Sequence, residues 1–157
     1  MARHTEEAVL RMSRRFRASR ERVFDAWTNP EVLRRWWAAG PTWDTPVAEV
    51  DLRPGGRYRL AMRDSESGAV HAVGGEYVAV SRPERLTYTW TWEGAADLME
   101  GSQRTLVTVE FLEDGDATEV VLRHEGFANE RIRALHEEGW VGCLANLERR
   151  VLEPAER

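Results

Sequence analysis

Apolar and polar positions change period twice along the chain. From Ala8 to Arg17, the residues Ala8, Leu10, Met12 and Phe16 alternate with Val9, Arg11, Ser13, Arg15 and Arg17, with one exception at Arg14. A period of two predicts a first strand. Ser19 then offers an N-cap, and Val23, Phe24, Ala26 and Trp27 supply an apolar stripe for a helix of about two to three turns. Asn29-Pro30-Glu31 restarts the chain as a second short helix, with Asn as cap, Pro in the first turn and Glu at the positive helix end. This helix runs through Trp36-Trp37 and ends at Gly40-Pro41.

Alternation returns in six extended segments near 45–53, 57–63, 70–81, 85–93, 104–112 and 117–124. Their links are short and rich in turn residues, such as Asp64-Ser65-Glu66-Ser67-Gly68 and Glu113-Asp114-Gly115-Asp116, which predicts an antiparallel meander. Within Asp51–Leu60 the sequence Pro54-Gly55-Gly56 marks a hairpin: Pro fixes φ and glycine accepts a positive one. One sheet face is apolar, with Tyr58, Leu60 and Met62, then Leu86, Tyr88, Trp90 and Trp92, then Val107, Val109 and Phe111, then Val120 and Leu122. The other carries Arg57, Arg59, Arg63, Thr87, Thr89, Thr91, Glu110, Glu119 and Arg123, as expected for a sheet wet on one side.

From Asn129 to about Glu153 the period becomes helical. Ile132, Leu135, Gly139, Trp140, Cys143, Leu144, Leu147 and Val151 recur at three- and four-residue steps, and Pro154 is expected to end the helix. Gly139 and Gly142 weaken it by about 1 kcal/mol each relative to Ala, so each calls for a packing reason: close approach of the helix to the sheet, or room for a ligand. The expected fold is α+β: a strand, two short helices and a meander forming a curved antiparallel sheet wrapped around a long C-terminal helix.

The 157 residues fit one domain, expected over 1–157, with a core large enough to contain a cavity. A formal charge of -5 argues against an extended phosphate-binding surface, so nucleic acid is not an expected partner. All 22 basic residues are arginine, which leaves no lysine for Schiff-base chemistry. The single Cys143 cannot form an internal disulfide, and no Cys/His cluster has zinc spacing. Gly55-Gly56 reads as a turn, not a phosphate loop, and no metal or cofactor is expected. The first residues have no apolar leader, and no run approaches the ~20 apolar residues of a membrane helix, so a soluble, cytoplasmic protein is expected.

The element order, with Phe24-Asp25-Ala26-Trp27, Leu33-Arg34-Arg35-Trp36-Trp37, Asp51-Leu52-Arg53-Pro54-Gly55-Gly56, Gly75-Glu76-Tyr77, Pro83-Glu84-Arg85-Leu86, Thr89-Trp90, Glu125-Gly126-Phe127, Gly139-Trp140 and Leu144, resembles the SRPBCC or START-like superfamily. Within it the chain looks most similar to bacterial homologues of the C-terminal domain of the heat-shock-protein-90 ATPase activator. The resemblance implies a helix-grip fold, often with a cavity for hydrophobic small molecules between sheet and helix. It fixes no chemistry, because the superfamily hosts carriers, cyclases, oxygenase domains and co-chaperone domains. A homodimer is also compatible with it.

The expected pocket wall consists of Trp36, Tyr58, Leu60, Tyr88, Trp90, Trp92, Val109, His124, His136, Trp140 and Leu144. Tyr and Trp suit a pocket that orients a ligand by one or two hydrogen bonds, although the same rings can pack on each other and leave no void. Trp36-Trp37 forms either a lid at the cavity mouth or one core residue beside one surface residue. His124 falls on the apolar strand face and His136 lies one turn before Trp140, so both are acid/base candidates as well as structural ones. Glu76 has ambiguous parity, because Gly74-Gly75 allows a bulge. Cys143, on a buried stripe, is expected to be inert.

Three functional readings stay open. The leading one is a binding protein for a small hydrophobic or aromatic ligand, without dedicated catalysis. The second is a chaperone-associated stress-response module, and the third a cyclase or hydrolase-like enzyme using His124, His136 or Glu76.

Overall fold

The computed structural model describes residues 8–93 and 104–152. Strand β1 (Leu10–Phe16) is followed by helices α1 (Arg20–Thr28) and α2 (Pro30–Trp36). Then come β2 (Asp44–Val50), β3 (Arg57–Arg63), β4 (Val70–Ser81), β5 (Arg85–Trp92), β6 (Thr105–Asp114) and β7 (Ala117–Glu125). Helix α3 (Glu130–Leu147) closes the fold, and its last turn widens into a π-helical segment at Glu148–Leu152. The regular terminal helix is thus shorter than its apolar stripe predicts, and Pro154 lies outside the described residues.

The helix starts follow from side-chain capping. Ser19 Oγ accepts from the Arg22 backbone N–H, Asn29 Oδ1 from that of Glu31, and Asn129 Oδ1 from that of Ile132. Each satisfies a donor that has no partner within its helix.

All seven strands form one antiparallel sheet in the order β1-β7-β6-β5-β4-β3-β2. The α1-α2 connection carries the chain from one edge to the other, and the curled sheet closes on α3 in a helix-grip arrangement. The parity reading of the faces holds. Tyr58, Leu60, Met62, Leu86, Tyr88, Trp90, Val107, Val109, Phe111, Val120 and Leu122 are all buried, while Arg57, Arg59, Arg63 and Arg123 are exposed. Arg14, out of pattern in β1, lies in phase with the inward residues and pairs with Glu148 at the end of α3. An inward cation is tolerated there because a carboxylate meets it at the sheet edge.

The Pro54-Gly55-Gly56 turn joins β2 to β3, with Val50 opposite Tyr58. Gly55 adopts φ 86°, and a Cβ on Gly56 would lie 2.0 Å from the Asp51 carbonyl oxygen. The turn also docks on β4: Gly55 N–H donates to Tyr77 O, and Tyr77 N–H donates to Gly56 O. The β4 bulge falls between Tyr77 and Ala79, where the register to β5 shifts, and not at Gly74-Gly75. Gly75 serves close approach instead, since a Cβ there would lie 2.1 Å from Thr89 O. Glu76 is consequently exposed on the outer side. Among the described residues no helix is long and apolar enough to cross a membrane.

Candidate functional site

A cleft of about 320 Å³ lies between α3, the end of β5 and the loop after α2. Its walls follow from three local patterns. Alternation in β5 brings Trp90 and Trp92 to the inner face, and the helical period brings Leu135, His136, Gly139, Trp140 and Cys143 of α3 to face them. Trp37, Ala39 and Trp43 come from the α2-β2 connection. Met62 and His71, partners across β3 and β4, complete the apolar side, and the exposed Glu93 marks the solvent end.

Space for the cleft comes from a missing side chain. A Cβ on Gly139 would meet no atom within 4 Å, whereas one on Gly142 would lie 1.8 Å from the Ala39 carbonyl oxygen. Both reasons for helical glycine therefore occur, one turn apart: Gly139 leaves room, and Gly142 admits the backbone of a loop rather than of the sheet. That loop is fixed further along α3. Asn146 Nδ2 donates to Ala38 O and Gly40 O, each at 2.9 Å, and the Arg150 guanidinium donates to Pro41 O at 2.6 Å and Trp43 O at 3.1 Å. Gly142, Asn146 and Arg150 thus form a stripe that grips residues 38–43 and positions the tryptophans on either side. A Cβ on Gly40 would lie 2.8 Å from the Trp43 ring, so this loop also needs its glycine.

The rings form one network around Trp90 and a separate pair at the mouth. Trp90 lies 5.3 Å from Trp140, 5.5 Å from Trp92 and 6.1 Å from Trp37, centroid to centroid. Trp140 stacks on Trp27 at 6.1 Å, and Trp43 stacks on His71 at 6.2 Å. Such contacts contribute beyond simple area burial.

Both candidate histidines are spent on hydrogen bonds. His124 Nδ1 accepts from Trp140 Nε1 at 3.1 Å. Its neutral-state proton therefore sits on Nε2, which donates to Thr105 Oγ1 at 2.8 Å, and Thr105 in turn donates to Trp90 O. His136 Nδ1 donates to Ile132 O at 2.9 Å, while its Nε2 accepts from Trp92 Nε1 at 2.9 Å. Burial pushes both imidazoles below their ordinary range, His124 far below it with His136 adding a smaller effect. Each imidazole lone pair is thus taken by an indole N–H, which leaves neither histidine placed to accept a substrate proton. Glu76 lies on the outer face, away from the cleft. Burial pushes the Cys143 thiol up to about 12. Arg59, bonded to both Glu93 carboxylate oxygens, holds that carboxyl below the usual range.

Of the expected wall residues, Trp90, Trp92, His136 and Trp140 line the cleft. Trp36, Tyr58, Leu60, Tyr88, Val109, His124 and Leu144 do not, and all seven are packed in the core. The tyrosines fill the middle of the sheet: Tyr58, Tyr77 and Tyr88 pack within 5.3–5.9 Å of one another. Tyr58 donates to Thr89 O, and Tyr88 accepts from Trp27 Nε1. Trp36 sits against Trp27 and donates to Ala26 O. Both members of the Trp36-Trp37 pair are buried, which removes the division into one core and one surface ring, and Trp37 is the one on the cleft. Trp43, His71 and Glu93 were not foreseen. Carrying the parity of Met62 across the β3-β4 hairpin would have found His71, and parity along β5 marks Trp92, next to Glu93.

A family model described as Activator of Hsp90 ATPase homolog 1-like protein matches residues 17–151. Among solved structures, a Chromobacterium violaceum protein superposes with TM-score 0.80 at 26% identity, covering 93% of this chain and 98% of its own. An AHSA1-like protein from Aeromonas hydrophila gives 0.71 at 27% identity, covering 89% and 90%. An HSP90 activator from Plasmodium falciparum gives 0.68 at 22% identity, covering 90% and 94%, a likeness of fold. No curated protein matches the chain.

Proposed function

The chain belongs to the Activator of Hsp90 ATPase homolog 1-like family, and from that premise we propose that it is a single-domain binding protein for a small hydrophobic or aromatic molecule held between sheet and α3. The observation that carries this reading is the tryptophan-walled cleft of about 320 Å³, which Gly139 keeps open. Its size suits a bicyclic aromatic, since an apolar cavity of about 150 Å³ takes up benzene. The occupied histidine lone pairs favour binding over acid–base catalysis.

The test uses N-phenyl-1-naphthylamine, a neutral fluorescent hydrophobe. Saturable 1:1 fluorescence enhancement, a raised melting temperature and loss of both in Gly139→Leu are expected, because the leucine side chain enters open space. Equal binding by Gly139→Leu would place the probe elsewhere and remove the cleft as the site. A second reading, association with an Hsp90-type chaperone, is supported by the family description. Co-purification of the chain with its host chaperone supports that reading, and absence of enrichment removes it.

A further inference from the structure

Five of the chain's seven tryptophans line this one cleft. No arginine among the described residues does, although arginines populate the outer sheet face and the ends of the helices. Among the described residues the charged one on the cleft is Glu93, and its partner Arg59 stands behind it, outside the lining. The ion pair thus presents its negative member to the cleft.

This distribution bears on ligand charge. An anionic group carried into the cleft meets no cationic side chain among the described residues, so no opposite charge offsets its loss of hydration, and the buried Trp90 Nε1, a neutral donor without a partner, offers at most one hydrogen bond. A cation meets the opposite surroundings. Indole faces are electronegative, attract ammonium groups within about 6 Å, and do so more strongly where water is displaced. The rings are also set at differing angles, 87° between Trp90 and Trp92, 42° between Trp90 and Trp140 and 54° between Trp90 and Trp37. Walls at such angles surround a rounded group better than they sandwich a flat one. The hydrogen bonds from Trp92 and Trp140 to the two histidines fix two of these rings in place and keep both imidazoles unprotonated beside the site.

We propose that the cleft selects an organic cation, an alkylated ammonium group carrying apolar or aromatic substituents, over neutral and anionic molecules of the same shape. The proposal rests on the cleft being a ligand site and adds the charge class of its occupant. Trp43, half-buried and stacked on His71, and Glu93 at the mouth are the specificity-determining residues least involved in the core.

The experiment compares three probes on the intact chain at pH 8, above the ordinary imidazole range. These are phenyltrimethylammonium, its carbon isostere tert-butylbenzene, and benzoate, each followed by tryptophan quenching and calorimetry. The cation is expected to bind about tenfold more tightly than tert-butylbenzene, with benzoate undetectable. In Glu93→Gln the cation should weaken several-fold with tert-butylbenzene unchanged, and in Trp43→Leu the preference should shrink while circular dichroism stays native. Equal or tighter binding of tert-butylbenzene overturns the charge selection and leaves an apolar cleft standing. Binding by none of the three, nor by N-phenyl-1-naphthylamine, overturns the cleft as a site altogether.

Discussion

Asn146 is the residue whose loss should be felt most widely for its size. It is 1% exposed, and its amide group holds Ala38 O and Gly40 O together at 2.9 Å each while its Oδ1 accepts from Arg149 at 2.7 Å. Residues 38–40 lie outside any regular element, so their carbonyls have no ladder to fall back on. Asn146→Ala leaves Ala38 O buried without a donor, at about 1–3 kcal/mol, and Gly40 O with only the Trp43 N–H at 3.3 Å. With partial relaxation of the loop the expected total is roughly 2 kcal/mol. For a chain of this length that is a fall in Tm of about 4–8 °C. Asn146→Asp separates donor from volume: it keeps the shape, but a carboxylate cannot donate and would face two carbonyl oxygens, so it should be at least as damaging. Thermal unfolding by circular dichroism, with urea titration for the free energy, measures both. If either variant melts within about 2 °C of the parent, the grip of α3 on the 38–43 loop is not what positions the cleft wall.

Three further outcomes are expected. Gly139→Ala should stabilise by up to about 1 kcal/mol through helix propensity, whereas Gly142→Ala, with its Cβ 1.8 Å from Ala39 O, should destabilise by roughly 2 kcal/mol or more; changes of the same sign in urea titrations would contradict the two assigned roles. Because His124 and His136 have lowered folded pKa values, the unfolded chain binds more protons below about pH 6.5, so stability should be full above that pH and fall by about 1 kcal/mol or more on acidification from 7.5 to 5.5. The lowered carboxyls of Asp44 and Glu93 act only nearer pH 4, so a flat profile between 7.5 and 5.5 would refute the neutral, hydrogen-bonded histidine pair. Cys143, with its thiol pushed up to about 12, should react with a thiol reagent at pH 8 far more slowly in the native chain than in urea, and equal rates would show that the α3 stripe opens readily.

The sheet was legible because one observable, period-two alternation, carries both strand identity and face, and the α3 stripe was legible for the same reason at period 3.6. The cleft was not, because parity says which side a ring occupies and nothing about what fills the space above it. Tyr58 and Trp90 have the same parity signature, yet Tyr58 meets Tyr77 and Tyr88 in solid packing while Trp90 ends beside the gap over Gly139. What separates them is the irregular segment 38–43, whose place depends on Asn146 and Arg150, residues that a hydropathy reading puts on the wet side of the helix. Arginine on a terminal turn reads as solvated, and here it bonds the Pro41 and Trp43 carbonyls. A better signal was the i, i+4, i+8 series Gly142, Asn146 and Arg150. A helical glycine followed at one-turn intervals by two side chains able to donate to carbonyls marks a face built to hold backbone, and a loop held that way can carry Trp43 to the mouth of a site.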